Sequence, residues 1–88
     1  MIKYLYCLYN SQAKFFTPLS IENLNVDQKI VDFQRAARVA EPESLRYLTA
    51  YYVGTWDDES CKFDVLPEPK LIFDLDKIAR EANYETKS

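Results

Sequence analysis

The sequence predicts an α+β domain in the order β-β-α-β-β-α. This is an antiparallel sheet of two β-hairpins, with a main helix on one face and a short C-terminal helix. Three observations lead there. Residues 2–17 and 46–66 are rich in Tyr, Phe, Thr and Val, and each is interrupted by a polar turn. Between them, Val26, Ile30, Phe33, Ala37 and Ala40 recur at spacings of four, three, four and three, a single apolar stripe at helical period. The chain is 88 residues long and 48% hydrophobic, enough for one core and no more. Residues 1–83 are expected to form the domain, and 84–88 a frayed tail.

In order, residues 2–9 read as a strand. Asn10, Ser11, Gln12 and Ala13 read as a turn, and residues 14–17 as a return strand that Pro18 ends. Asn25 is a good N-cap, with Gln28 three residues on as in a capping box. The helix is expected to stop near Val39, because the residue before Pro42 avoids helical geometry.

In the second hairpin, Asp57, Asp58, Glu59 and Ser60 form the turn and residues 61–66 the return strand. The expected register sets Trp56 against Cys61, Gly54 against Phe63 and Tyr52 against Val65. That places an apolar, buried face on one side, with Phe63 covering the bare glycine. The other side is mixed, with Thr55 opposite Lys62 and Val53 opposite Asp64. Pro67, Glu68 and Pro69 are expected to end the hairpin. Asp74 then caps a short helix through Leu75, Ile78, Ala79 and Ala82.

Composition narrows the chemistry. There is no histidine, which removes the commonest general base and the commonest metal ligand. The only glycine is Gly54, so there is no phosphate-cradling loop. Asp57, Asp58 and Glu59 lack the spacing and glycine of an EF-hand and read as a turn bonding its own backbone. Cys7 and Cys61 are expected to be reduced and buried inside strands. Neither an enzyme nor a cofactor or metal is expected. No apolar run approaches the roughly 18 residues that span a bilayer, and no secretory leader is legible, so no membrane role and a cytoplasmic location are expected.

Charge is uneven. Residues 1–38 carry five Lys/Arg and three acids, net +2, and residues 39–88 carry six and eleven, net −5. The total of −3 argues against strong non-specific DNA binding and leaves room for a local basic face. Its candidates are Lys3, Lys14, Lys29, Arg35 and Arg38. Among the tyrosines (Tyr4, Tyr6, Tyr9, Tyr47 and Tyr51), Tyr51 is the candidate for stacking on bases. So short a chain also leaves room for a homodimer.

The run Gly54-Thr55-Trp56-Asp57-Asp58-Glu59-Ser60-Cys61-Lys62-Phe63 resembles the small nonstructural protein of the gokushovirus-type microviruses. That family shows Gly-x-[aromatic]-Asp-Asp-x-x-[small]-Lys-Phe followed by a short Pro/Glu segment, matched here by Leu66, Pro67, Glu68 and Pro69. Gly54, Trp56, Asp57, Asp58, Lys62 and Phe63 carry the motif and read as structural. Residues 5–13 are similar to the family's opening strand and turn. The likeness runs to about Ile72; residues 24–39 share the helix position with little identity, and the C-terminal helix has no counterpart.

The resemblance implies an icosahedral single-stranded DNA phage, expression in the host bacterial cytoplasm, and a nonstructural role in viral DNA replication or its handover to packaging. It carries a DNA-binding label and no catalytic residue. Two functions follow as expectations. One is binding of single-stranded DNA through the basic and aromatic residues. The alternative is a protein–protein module for a phage or host replication or assembly protein, helped by acidic charge mimicry.

Overall fold

A computed structural model describes the backbone of residues 1–87 and the side chains through residue 82. The class is α+β, an antiparallel sheet with two helices. Its strands are β1 (Ile2–Asn10), β2 (Phe15–Phe16), β3 (Ser20–Glu22), β4 (Leu48–Asp57) and β5 (Lys62–Asp74). The helices are α1 (Val26–Val39) and α2 (Leu75–Lys87), with a 3-10 turn at Pro42–Leu45. The order differs from two hairpins and two helices by β3 and by the 3-10 turn. The segment expected to fray continues α2 as backbone to Lys87; its side chains, and Ser88 altogether, lie outside the described residues.

The sheet runs β2-β1-β4-β5, and β3 shares the outer edge of β1 with β2. Tyr9 faces Phe16 at one end of that edge and Leu5 faces Ile21 at the other. Between them Thr17 bridges the gap. Its N–H donates to the Leu8 carbonyl (2.8 Å), and the Leu8 N–H donates to its hydroxyl (2.9 Å). Pro18 ends β2, as a residue without an N–H must.

Both hairpins turn through the same loop. At Asn10 and at Asp57 the strand's last carbonyl accepts an N–H from four residues on, Lys14 or Cys61, at 2.7 Å. The side chain of the same Asn or Asp accepts loop N–H groups, from Gln12 and Ala13 in one case and Glu59 in the other. Lys14 and Cys61 close the loops in the left-handed region, at φ of 61° and 59°. Such a position costs a non-glycine residue roughly 1–2 kcal/mol. Cys61 is therefore an exposed turn residue and not a buried strand residue, whereas Cys7 is buried.

The four-residue loop sits one residue later than expected, at 58–61, which moves the second hairpin's register by two. Trp56 faces Phe63, Gly54 faces Val65, Thr55 faces Asp64 and Asp57 faces Lys62. A slip of two preserves which residues share a face, except that Tyr52, expected beside Gly54 and opposite Val65, is carried to the other side by the extra residue Val53 and pairs with Lys70. It changes what lies over the glycine, which is the Asp64–Val65 backbone and not the Phe63 ring. A Cβ on Gly54 would sit 2.3 Å from the Asp64 carbonyl oxygen.

Pro67, Glu68 and Pro69 do not end the hairpin. Pairing jumps from Val65 (with Gly54) to Lys70 (with Tyr52), so residues 66–69 bulge out opposite Val53 and β5 then resumes. Two prolines are tolerated there because β5 is an edge strand and the bulge carries no ladder bonds.

Helix α1 begins as its sequence dictates. The Asn25 side chain accepts from the Gln28 N–H, and the Gln28 side chain accepts from the Asn25 N–H, both at 3.0 Å. Its stripe packs toward the sheet: Phe33 stacks on Phe73 (5.8 Å between centroids), and Ala37 and Ala40 meet the cluster of Leu45, Leu75 and Ala79. Asp74 caps α2 through the Lys77 N–H (3.0 Å), and Asp76 accepts from the Tyr47 N–H (2.7 Å), which fixes the 3-10 turn against α2.

Candidate functional site: the uncovered face of the sheet

Strand residues alternate sides, and directly paired residues share a side. Leu8, Tyr6, Ala50, Tyr52 and Phe73 face α1 and the core cluster. The pairing of β1 with β4 shifts between Leu5 and Tyr6, where Val53 is the extra residue. That shift carries Gly54 and Trp56 to the side opposite the helices, with Lys3, Leu5, Cys7 and Tyr9. Phe16, Ile21, Tyr51, Phe63, Val65 and Leu71 join them by direct pairing.

Among the described residues no helix covers this side. At its centre Leu5 is 1% exposed. Around it Phe16, Ile21, Phe63, Val65 and Leu71 are 49–59% exposed. The face expected to be buried around Trp56 is thus apolar as read, but its rim lies open.

Three rings make a continuous group on this face. Tyr9 and Phe16 lie 4.7 Å apart by centroid, and Phe16 meets Tyr51 edge-on at 5.5 Å. At the other end Trp56 and Phe63 lie 6.3 Å apart.

The five candidate cations fall on separate surfaces. Lys29 is on the inner side of α1. Its ammonium donates to Glu22 (2.7 Å), lies 3.5 Å from Asp32 and sits 4.7 Å over the Phe33 ring, with its side chain 12% exposed. At 3.6 residues per turn, Arg35 and Arg38 point about 120° and 180° away from Lys29 around the helix, on its outer side. Lys3 bonds the Asn23 side chain near the start of β1. Lys14 lies in the loop beyond the other end, on the order of 20 Å away along the strand. Tyr51 stands on the uncovered sheet face, near neither arginine.

A cavity of about 240 Å³ opens between α1 and the outer edge of β1, lined by Tyr6, Cys7, Thr17, Ser20, Glu22 and Lys29. Its polar groups are engaged with each other. The Tyr6 hydroxyl donates to the Leu24 carbonyl (2.6 Å), and burial pushes its pKa well up. Burial likewise raises the Cys7 thiol, which keeps it protonated and a poor nucleophile.

The acidic turn has partners of its own. The Met1 ammonium lies 2.6 Å from Asp58 and 3.4 Å from Glu59, and its hydrogen bond to Asp58 raises its pKa. The Glu59 N–H holds the Asp57 carboxyl below its usual range. Asp57 and Asp58 therefore shape the loop and its junction with β1, and Lys62 pairs with Asp57 across the ladder.

Comparison with known protein families, curated proteins and solved structures gave no match. Among the described residues no helix is long and apolar enough to cross a membrane.

Proposed function

We propose that this chain is a small nonstructural phage accessory protein that works by docking a macromolecule on the uncovered face of its sheet, with a protein as the preferred partner. The source rests on the resemblance of the Gly54–Phe63 motif. The mode of action rests on one observation: five large apolar side chains stand half exposed on one sheet face. Isolated exposed hydrophobes need no explanation, but several gathered on one face mark an interaction site. A protein partner is favoured because Lys3 is the one cation the strand alternation puts among these residues, and phosphate binding draws its affinity from cations.

Tagged protein expressed in infected cells tests this reading. After nuclease treatment it is expected to retain a phage or host protein, and Phe63→Lys with Leu71→Lys is expected to release it. Retention unchanged by that pair overturns the reading.

The aromatic group of Tyr9, Phe16 and Tyr51 supports a second reading, single-stranded DNA stacked on the same face. Each stacked base is worth roughly 1–3 kcal/mol. A fluorescent oligonucleotide titrated at low salt decides it: binding weakened by Phe16→Ala and Tyr51→Ala supports stacking, and no binding ends that reading.

A further inference from the structure

We infer that the occupant of the uncovered sheet face is a second copy of this chain, packed sheet against sheet about a two-fold axis. The inference rests on the docking reading and names its partner.

Area is the first argument. At ~200 Å² for a whole aromatic side chain, the exposures of Phe63 and Phe16 leave about 100 Å² each. Ile21, Val65 and Leu71, all just over half exposed, add roughly 50–100 Å² apiece. The five supply about 400 Å² before the half-buried Tyr9, Tyr51 and Trp56 are counted. A standard interface takes ~800 Å² from each partner, of which a little over half is apolar. The face by itself matches one side of a stable dimer.

The chain's own core is the second. Its largest fully buried side chains are Leu5 and Tyr6, and the main buried cluster is built on Leu45, Leu75 and Ala79. The molecule is 16 Å across in its shortest dimension, a sheet backed by helices on one side only. A cover for the other side is needed whenever the chain is folded. A second copy is present at every such moment in the right proportion. Two sheets meeting face to face at about 10 Å complete a helix–sheet–sheet–helix stack.

Charge is the third. The chain carries −3 overall, so two copies repel across most of their surfaces. The uncovered face is the exception. Its strand members are apolar apart from Lys3, Thr49 and Asp74, and the one acid is the last residue of β5, where it accepts from the Lys77 N–H and lies 3.7 Å from Arg80. An isologous contact needs a patch that is complementary to itself, and a face with an apolar middle, Lys3 at one end and Asp74 at the other, meets that condition.

Sedimentation equilibrium of the wild-type chain is expected to give twice the 10.4 kDa chain mass from micromolar concentrations upward. Phe63→Lys with Leu71→Lys is expected to give the single-chain mass with an unchanged far-ultraviolet spectrum. A nitroxide on the exposed Cys61 thiol of the otherwise wild-type protein adds a measurement that needs no face substitution; one narrow inter-copy distance is expected. A wild-type chain that stays monomeric at several hundred micromolar overturns the inference, as does a folded double variant that remains dimeric. The two levels separate. A monomer that binds an apolar dye through Phe63 and Leu71 removes the second copy and leaves the docking reading. A monomer that binds no dye removes both.

Discussion

Gly54→Ala probes the tightest point of the sheet. The added Cβ would lie 2.3 Å from the Asp64 carbonyl oxygen and 2.8 Å from the Val65 Cα. Both are backbone atoms of the paired strand, so no side chain can swing aside. Gly54 also holds φ at +154°, where an L side chain is strained whatever the space. Backbone strain of that kind costs on the order of 1–3 kcal/mol. Forcing two packed strands apart costs about 1–3 kcal/mol more. A domain of this length has roughly 4–13 kcal/mol of net stability at ~0.05–0.15 per residue. The expected loss of about 2–6 kcal/mol therefore takes a large share of it and lowers Tm by at least ~10 °C. Urea unfolding followed by the emission of Trp56, the only tryptophan, reads the change from two residues away along the same strand. Thr55→Ala controls for lost strand propensity. A Gly54→Ala unfolding free energy within about half a kcal/mol of wild type would refute the close approach of β4 and β5.

The left-handed loop positions predict a gain: Cys61→Gly, and separately Lys14→Gly, is expected to raise the unfolding free energy from urea titration by about 0.5–1 kcal/mol, the strain relieved less the entropy glycine adds to the unfolded chain; a loss contradicts the loop geometry. Asn25→Ala removes the cap on the Gln28 N–H and is expected to cost about 1 kcal/mol in the same assay. Burial raises the pKa of both Tyr6 and Tyr52 in the folded state. In the unfolded chain these tyrosines ionise near their ordinary value of about 10, while the fold favours their neutral forms, so their contribution is fully present below pH 10 and is lost as pH rises through the raised folded values. The urea midpoint is expected to be lower at pH 11 than at pH 8, with Tyr6 ionising in the 295 nm absorbance only on unfolding; equal midpoints speak against it.

Local chemistry made much of the fold legible. The Asn25–Gln28 capping box and the Asp74 cap each depend on residues within three positions and formed where the sequence places them, and the two polar turns formed one residue later than read, closed by Lys14 and Cys61. Longer-range features were not. Strand β3 has three residues and no apolar alternation of its own; it exists because β1 offers a free edge at Tyr4–Tyr6. Pro67 and Pro69 read as a stop because a central strand excludes them, and nothing in the sequence says that β5 is an edge. The hairpin register slipped by two because Cys61, a residue with no preference for positive φ, closes the loop. Alternation correctly grouped Trp56, Gly54, Phe63 and Val65. It carries no information on whether anything lies over them.

The site was legible as residue types and not as places, and the cations show why. Lys29 lies at the edge of the helix's apolar stripe, and its partner Glu22 is in the strand that the sequence did not reveal. With that ion pair made, and Arg35 and Arg38 on the outer side of α1, a nucleic acid lying on the sheet can reach Lys3 and Lys14 at most. On single strands each neutralised phosphate contributes about −0.7 to the slope of log K against log salt. Five cations acting together would give a slope near −3.5, and the two at the ends of β1 about −1.4. Oligonucleotide binding measured across 20–200 mM salt separates the cases. A shallow slope, unaffected by Arg35→Gln with Arg38→Gln, is expected if DNA binds the sheet at all, since its energy would then come from stacking on Phe16 and Tyr51. A steep slope that those two substitutions flatten would move the site to the outer side of α1 and leave the uncovered sheet to a protein.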